Sequence, residues 1–355
     1  MYVIGLDAGG KSIRRGAFTP TADGGFVPVT KGGVPVRDKV FTELFPGGLV
    51  AVVQDFLNTH SEALAGEELA GVGYGYAGAF EYEFDGTVEY GRSHGVNMKW
   101  PADDKELSAS TGVRCKGWND LKVMGYGINF LNPSQLFLMG GDPTRLRKRG
   151  AKLGLIAPGS GTGACGMEWN GKFFQPTRES EFGHIRCAPH LRDDFDYLSY
   201  LWDRRDPTTP HPSLEAGIKL ARVYGFVRDV RKIGSEPEEI ARQIAANEDP
   251  APLICELGKK GESELCAEAL KMFWRLVGAA ASDLTLAFKA FDGCFIGGTN
   301  VINVGPDYLT GTDLMSAFTA VGHHGPRMKN VPVSLLLEET GDMGAAYALH
   351  IELSA

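Results

Sequence analysis

Asn119 and Asp120 stand together after Val113-Arg114-Cys115-Lys116-Gly117-Trp118, a run that reads as a strand ending in a polar pair. A carboxylate at such a strand end, within hydrogen-bond reach of a hydroxyl, can take its proton, and the neighbouring amide can both donate to and accept from adjacent hydroxyls. Asn-Asp ahead of Leu121-Lys122-Val123-Met124 is also good capping sequence, so one residue can cap a helix while the other does chemistry. Two glycine-rich segments suit phosphate oxygens. In Asp7-Ala8-Gly9-Gly10 the glycines let backbone N–H groups approach a phosphate, with Asp7 placed to reach a magnesium ion through water. In Gly159-Ser160-Gly161-Thr162-Gly163 the backbone N–H groups and the Thr162 hydroxyl can wrap a second set of oxygens.

The first segment matches a different motif letter for letter. Gly5 through Ser12 satisfies G-x-x-x-x-G-K-[ST], the P-loop pattern, which requires a strand before the first glycine and a helix starting at the Lys-Ser pair. Only four residues precede Gly5, and Gly16 and Pro20 fall where the helix interior would lie. The context predicts a β-turn-β hairpin instead, with a P-loop ATPase as the reading that a helix at Lys11 would revive.

Strands and glycine turns recur along the chain. Tyr2–Leu6, Arg15–Phe18, Phe26–Val29 and Val72–Tyr76 read as strands and Leu49–Leu64 as a helix, an alternation that predicts an α/β lobe. The pattern restarts beyond Gly117 with strands at Leu136–Met139 and Leu153–Ile156, and a mainly helical stretch spans Ser213–Phe291. A strand at Gly293–Ile296 runs into the turn Gly297-Gly298, Val331–Leu337 is the last strand, and Gly341–Leu349 a small-residue helix. Residues 1–118 with 341–355 are expected to form a small lobe and 119–340 a larger one carrying a helical elaboration.

At 355 residues, 43% hydrophobic and 23% charged, the chain has room for two such lobes. A net charge of -8 argues against nucleic acid or an anionic membrane as partner. The six cysteines show no C-x-x-C spacing and read as free thiols of a reducing compartment. The first residues run straight into a strand with no basic leader or cleavage pattern, and no apolar run reaches membrane-spanning length, so a cytoplasmic protein is expected.

The order of these motifs resembles the bacterial glucokinases, members of the actin, sugar-kinase and heat-shock-protein superfamily. That family carries a phosphate hairpin, then Asn-Asp, then Gly-x-Gly-Thr-Gly, then Glu-x-Gly-His, then a Gly-Gly turn. Here these are Asp7 to Gly10, Asn119-Asp120, Gly159 to Gly163, Glu181-Phe182-Gly183-His184 and Gly297-Gly298. Ser93 to Pro101 and Ala267 to Gly298 extend the likeness over nearly the whole chain. The cysteine-rich zinc motif of the related repressor and open-reading-frame kinases is absent, Cys187 alone lying nearby.

The resemblance implies a two-lobed actin-like (ribonuclease H-like) α/β fold and a homodimer using ATP and Mg2+ to phosphorylate a hexose, foremost glucose, at its 6-position. Asp120 becomes the general base, and Asn119, Glu181 and His184 sugar ligands. Asp7, Gly9, Gly10, Lys11, Arg14, Gly159, Ser160, Gly161, Thr162, Gly163, Gly297 and Gly298 become the nucleotide site. Two positions depart from the pattern. Lys11 replaces the hairpin threonine, bringing a full charge on a flexible stem. The family's further glutamate, just before a Leu-Ser pair, registers on Phe195, with Asp194 and Asp196 flanking it; Asp196 joins the candidate sugar ligands and Glu179 is a nearby competitor to Glu181. A kinase for another hexose or an N-acetylhexosamine, and a sugar sensor with weak catalysis, are the alternatives.

Overall fold

Tyr2, Val3, Ile4 and Leu6 are buried along β1 (Tyr2–Ala8), which turns through Gly9-Gly10-Lys11 into the antiparallel β2 (Ser12–Pro20). Strand therefore follows Lys11 where a P-loop would have helix, and the hairpin reading holds. The computed structural model describes every residue except Asp23, Val96, Asn97, Arg147, Lys148, Ser160 and Ala355, together with all side chains in its strands but those of Arg178 and Glu179.

The sheet continues with β3 (Phe26–Pro28) and β4 (Arg37–Phe41), both paired to β2, and with β5 (Leu69–Tyr76) and β6 (Arg114–Asn119) parallel to β1. Its order is β6-β5-β1-β2-β3, with β4 also on β2. Helices α1 (Gly48–Thr59) and α2 (Asp104–Thr111) bury Val52, Val53, Phe56 and Leu107 in a core with Ile4, Leu6 and Val72. On a second core, Val123 and Tyr126 of α3 (Asp120–Gly127) pack with Ala345, Ala346 and Leu349 of the closing helix, Gly341–Leu353.

This packing moves the boundary expected at residue 118. The compact unit comprises Met1–Asn132, Lys172–Glu179 and Glu339–Ala355. Segment α3 stays with it because its apolar face is covered by the closing helix. Residues 172–179 join because Asn129 brackets Phe174, its Nδ2 donating to the Phe174 carbonyl at 2.9 Å and its Oδ1 accepting from the Phe174 N–H at 2.8 Å.

The other unit, Pro133–Gly171 and Ser180–Glu338, repeats the plan. Its strands are β7 (Leu136–Gly140), β8 (Lys152–Pro158), β9 (Thr162–Trp169), β11 (Gly293–Ile296) and β12 (Val333–Leu336), in the order β7-β12-β11-β8-β9, while β10 (Phe174–Ser180) falls, but for Ser180, among the first unit's residues. Again a glycine turn joins an antiparallel pair, β8–β9, whose first strand runs parallel to β11. The expected helical elaboration includes α4 (Asp194–Asp203), the single turn α5 (Leu214–Gly217) and α6 (Glu264–Ala287). Ser263 starts α6 by accepting from the Cys266 N–H, and Trp274, Val277 and Ala281 are buried along it. All six cysteines are free thiols.

Candidate active site

In the first unit the carboxyl ends of β1, β5 and β6 lie side by side, the edge of an α/β sheet where ligands bind. The register pairs Asp7 with Gly75 and Asn119 with Tyr76, which puts Asp7 and the Asn119-Asp120 pair at that one edge. The pair caps α3: the Leu121 N–H is shared by Asn119 Oδ1 at 3.0 Å and Asp120 Oδ1 at 2.9 Å. Capping therefore orients both side chains, each through its Oδ1.

Asp7 is ringed by charge. Its cross-strand partner Arg14 reaches it at 3.1 Å (Nη1 to Oδ2) and extends Nη2 to Glu339 Oε1 at 2.7 Å. Arg37 on β4 grips Asp342, at the start of the closing helix, with two bonds of 2.9 and 2.8 Å. Burial pushes the Asp7 carboxyl up to about 7; Arg14 opposes this, and the carboxylates of Glu339, Asp120 and Asp342 add to it. Gly341 packs on the same side chain, since a Cβ added there would stand 2.5 Å from Asp7 Cγ. The hairpin tip is tied down by Thr42, whose hydroxyl donates to the Gly9 carbonyl at 2.7 Å and whose N–H donates to the Lys11 carbonyl at 3.1 Å. Lys11 sits exposed at the turn. Asp7, Gly9, Gly10, Lys11, Arg14, Asn119 and Asp120 thus belong to one unit, with Arg14 engaged by two carboxylates.

The second unit gathers its own set. At the β8–β9 turn the Gly159 N–H bonds the Gly161 carbonyl at 2.7 Å, and Thr162 opens β9. Ser160, expected here, lies outside the described residues. The Gly297 N–H bonds the Ile156 carbonyl at 3.0 Å, and Asn300 donates to the Pro158 carbonyl at 3.1 Å, so the Gly297-Gly298 turn lies beside the glycine loop. On the loop's other side a one-turn 3-10 helix, Phe182–His184, holds Glu181 and His184 with Oε2 and Nε2 3.6 Å apart, both largely exposed. Gly183 makes that packing possible, because a Cβ there would run into the Thr162 carbonyl.

Near the position expected to supply a second acidic group, the structure places a carboxylate that the sequence reading did not single out. Phe195 and Asp196 lie on the exposed face of α4, and Asp194 is buried in a two-bond pair with Arg275 at 2.9 and 2.5 Å. Glu215 instead faces the glycine loop: a Cβ added at Gly161 would stand 3.8 Å from its carboxyl carbon. Ser213 fixes it there, bridging to Arg186 just past His184 and capping α5 through the Ala216 N–H at 3.2 Å. Glu215 pairs with Lys219 at 2.9 Å and is partly exposed. The signal was Ser213-Leu214-Glu215, which passes for an ordinary helix start inside a helical stretch. The Glu179 side chain lies outside the described set.

Among the described residues no group of three or more His, Cys, Asp or Glu forms a metal cage. A magnesium ion that keeps most of its waters and takes one carboxylate with phosphate oxygens needs none, and Asp7 fits that use. No described helix is long and apolar enough to cross a membrane.

A family model described as glucokinase matches residues 48–351. A glucokinase of Nostoc sp. is 28% identical over 266 residues, covering 71% of this chain and 75% of the relative. Among solved structures, a glucokinase from an Antarctic psychrotroph superimposes with a TM-score of 0.73 at 24% identity, covering 99% of both chains. The glucokinase of Balamuthia mandrillaris, solved in complex with glucose, also gives 0.73, at 18% identity, covering 98% of this chain and 93% of its own. The fold is that of the actin-like sugar kinases, as the motif order implied.

Proposed function

The chain belongs to the glucokinase family and is a sugar kinase that phosphorylates glucose with ATP, and we propose that Asp120 takes the proton of the sugar hydroxyl as the phosphoryl group arrives. Phosphoryl transfer asks a protein for positioning, charge neutralisation and one proton acceptor. The observation that carries the proposal is the placement of Asn119-Asp120 at the same sheet edge as Asp7, with one oxygen of each side chain fixed by the α3 cap. Asn119 would hold a neighbouring hydroxyl. Glu181, His184 and Glu215 would bind the remaining hydroxyls, Glu215 filling the place for which Asp196 was the sequence candidate.

The Asp7–Gly10 hairpin precedes the family match, which begins at residue 48, so its role rests on its own geometry. Its turn would present backbone N–H groups to the terminal phosphates, with Lys11 adding a cation. Gly159, Gly161, Thr162, Gly163, Gly297 and Gly298 would hold the rest of the nucleotide. A Mg2+ arriving with ATP would be held by phosphate oxygens and, through water, by Asp7; it neutralises charge on the transferred group. The same proposal has the enzyme acting in the cytoplasm as a homodimer, the assembly being readable by sedimentation.

ADP release measured on a panel of hexoses and N-acetylhexosamines tests the substrate. Glucose is expected to give the highest kcat/KM, with product phosphorylated at the 6-position. Preference for an N-acetylhexosamine would move the assignment to another sugar kinase, and glucose binding without ADP release would make the protein a sensor.

A further inference from the structure

The first unit's returning segment, which starts at Glu339 and leads into the closing helix, bears on Asp7 three ways: Glu339 through Arg14, Gly341 by direct packing, and Asp342 through its charge. Of these, Glu339 bears on the charge that Asp7 presents. Arg14 reaches Glu339 at 2.7 Å and Asp7 at 3.1 Å, and all three side chains are mostly buried, their exposures 19% for Arg14, 15% for Glu339 and 18% for Asp7. Salt screens a pair so placed less than it would a surface pair.

We propose that Glu339 is a positioning residue for the phosphate site: by holding the Arg14 guanidinium to its own carboxylate, it keeps Asp7 available to a hydrated divalent cation. A guanidinium prefers a two-bond grip on a carboxylate. Released from Glu339, Arg14 can close fully onto Asp7 and neutralise the carboxylate that the hydrated ion uses. Losing the Glu339 charge also lowers the negative potential there, so both effects weaken cation binding. Glu339 acts through Arg14 and touches neither the cation nor the sugar. The inference rests on the proposed phosphate role of the hairpin.

The test is a double-mutant cycle of Glu339→Gln and Arg14→Met, read by Mn2+ binding in the presence of ADP, followed by electron paramagnetic resonance, and by the Mg2+ dependence of turnover. Glu339→Gln is expected to weaken Mn2+ binding by about tenfold, the size of one lost charge-assisted hydrogen bond, with the glucose KM unchanged. In the Arg14→Met background the effect of the same change must shrink. Wild-type Mn2+ binding in Glu339→Gln, or an equal effect in both backgrounds, overturns the proposal. Should Glu339→Gln not fold, Glu339→Asp, with a shorter arm, is measured in the same backgrounds under the same expectations. Turnover of glucose and ATP by the wild type is assayed alongside: its absence counts against the kinase reading, whereas turnover with a failed cycle counts against Glu339 alone.

Discussion

Around the β1–β2 turn stand Asp7, Arg14, Glu339 and Asp342, with Lys11 at the tip, while the β8–β9 turn is lined by backbone carbonyls, Gly183, Asn300 and the carboxylate of Glu215. Both are glycine turns joining an antiparallel pair to a parallel sheet. What differs is how each is held. The first is tied at its tip by Thr42 and flanked by ion pairs, one of them reaching Glu339 far along the chain, which suits a ligand whose charge must be counted. The second is fixed by close backbone packing, which suits recognition by shape and hydroxyl contacts.

Changes at each turn should therefore fail differently. Of the changes near the two turns, the largest effect is expected from Gly341→Ala, whose methyl group would push on Asp7; turnover should fall roughly 100-fold, as for a misplacement of about 1 Å, while calorimetry still reads glucose binding. Turnover like wild type would remove this segment from the phosphate site. At the other turn, Glu215→Gln should raise the glucose KM by about 10–100-fold, the loss of a hydrogen bond to a charged group, while Asp196→Asn leaves it near wild type. The reverse pattern would restore Asp196 as the sugar ligand. Lys11→Thr should raise the ATP KM by about fivefold, since a charge at an exposed tip is worth about 1 kcal/mol. An unchanged ATP KM would leave the tip without a phosphate role.

The smallest effect separates the two units by pH. Asp104, buried in the first unit, accepts from the Tyr74 hydroxyl at 2.5 Å and from the Gly91 and Gly117 N–H groups, all neutral donors, and burial lifts its carboxyl from 3.8 to about 6. The folded chain thus takes up this proton before the unfolded chain does. Its stabilisation is complete below 3.8 and is lost as the pH rises through about 6. Asp194 in the second unit is opposite in sign. Burial raises it, but the Arg275 pair and the Leu191 and His190 N–H groups hold it below its ordinary value. Its contribution is present above the ordinary carboxylate range and is lost as the pH falls below it. Urea unfolding should show the wild type gaining about 1 kcal/mol relative to Asp104→Asn between pH 7.5 and 5. Parallel curves for the two proteins would contradict the assignment.

The hairpin, the restart of the strand pattern and the closing helix were legible because each is carried by short-range signals: apolar runs, glycines, a misplaced proline for a P-loop. Asn119-Asp120 was legible as a cap and a catalytic pair together, and the structure has the cap. What stayed hidden depends on long-range packing. Nothing near Glu339 signals that it meets Arg14, since the two are 325 residues apart. The hold of Asn129 on Phe174 drew residues 172–179 into the first unit for the same reason. Glu215 was masked by its own neighbours, a helix start inside a helical stretch, while the registration on Phe195 drew attention to a helix face exposed to solvent.

The central claim is that Asp120 accepts the proton. Single-turnover phosphoryl transfer by Asp120→Asn, with glucose affinity read by calorimetry on the same preparation, tests it most directly. A fall of roughly 100- to 10,000-fold in the transfer rate, with glucose affinity within about tenfold of wild type, is predicted. A folded Asp120→Asn enzyme that binds glucose and transfers phosphoryl at the wild-type rate would contradict it.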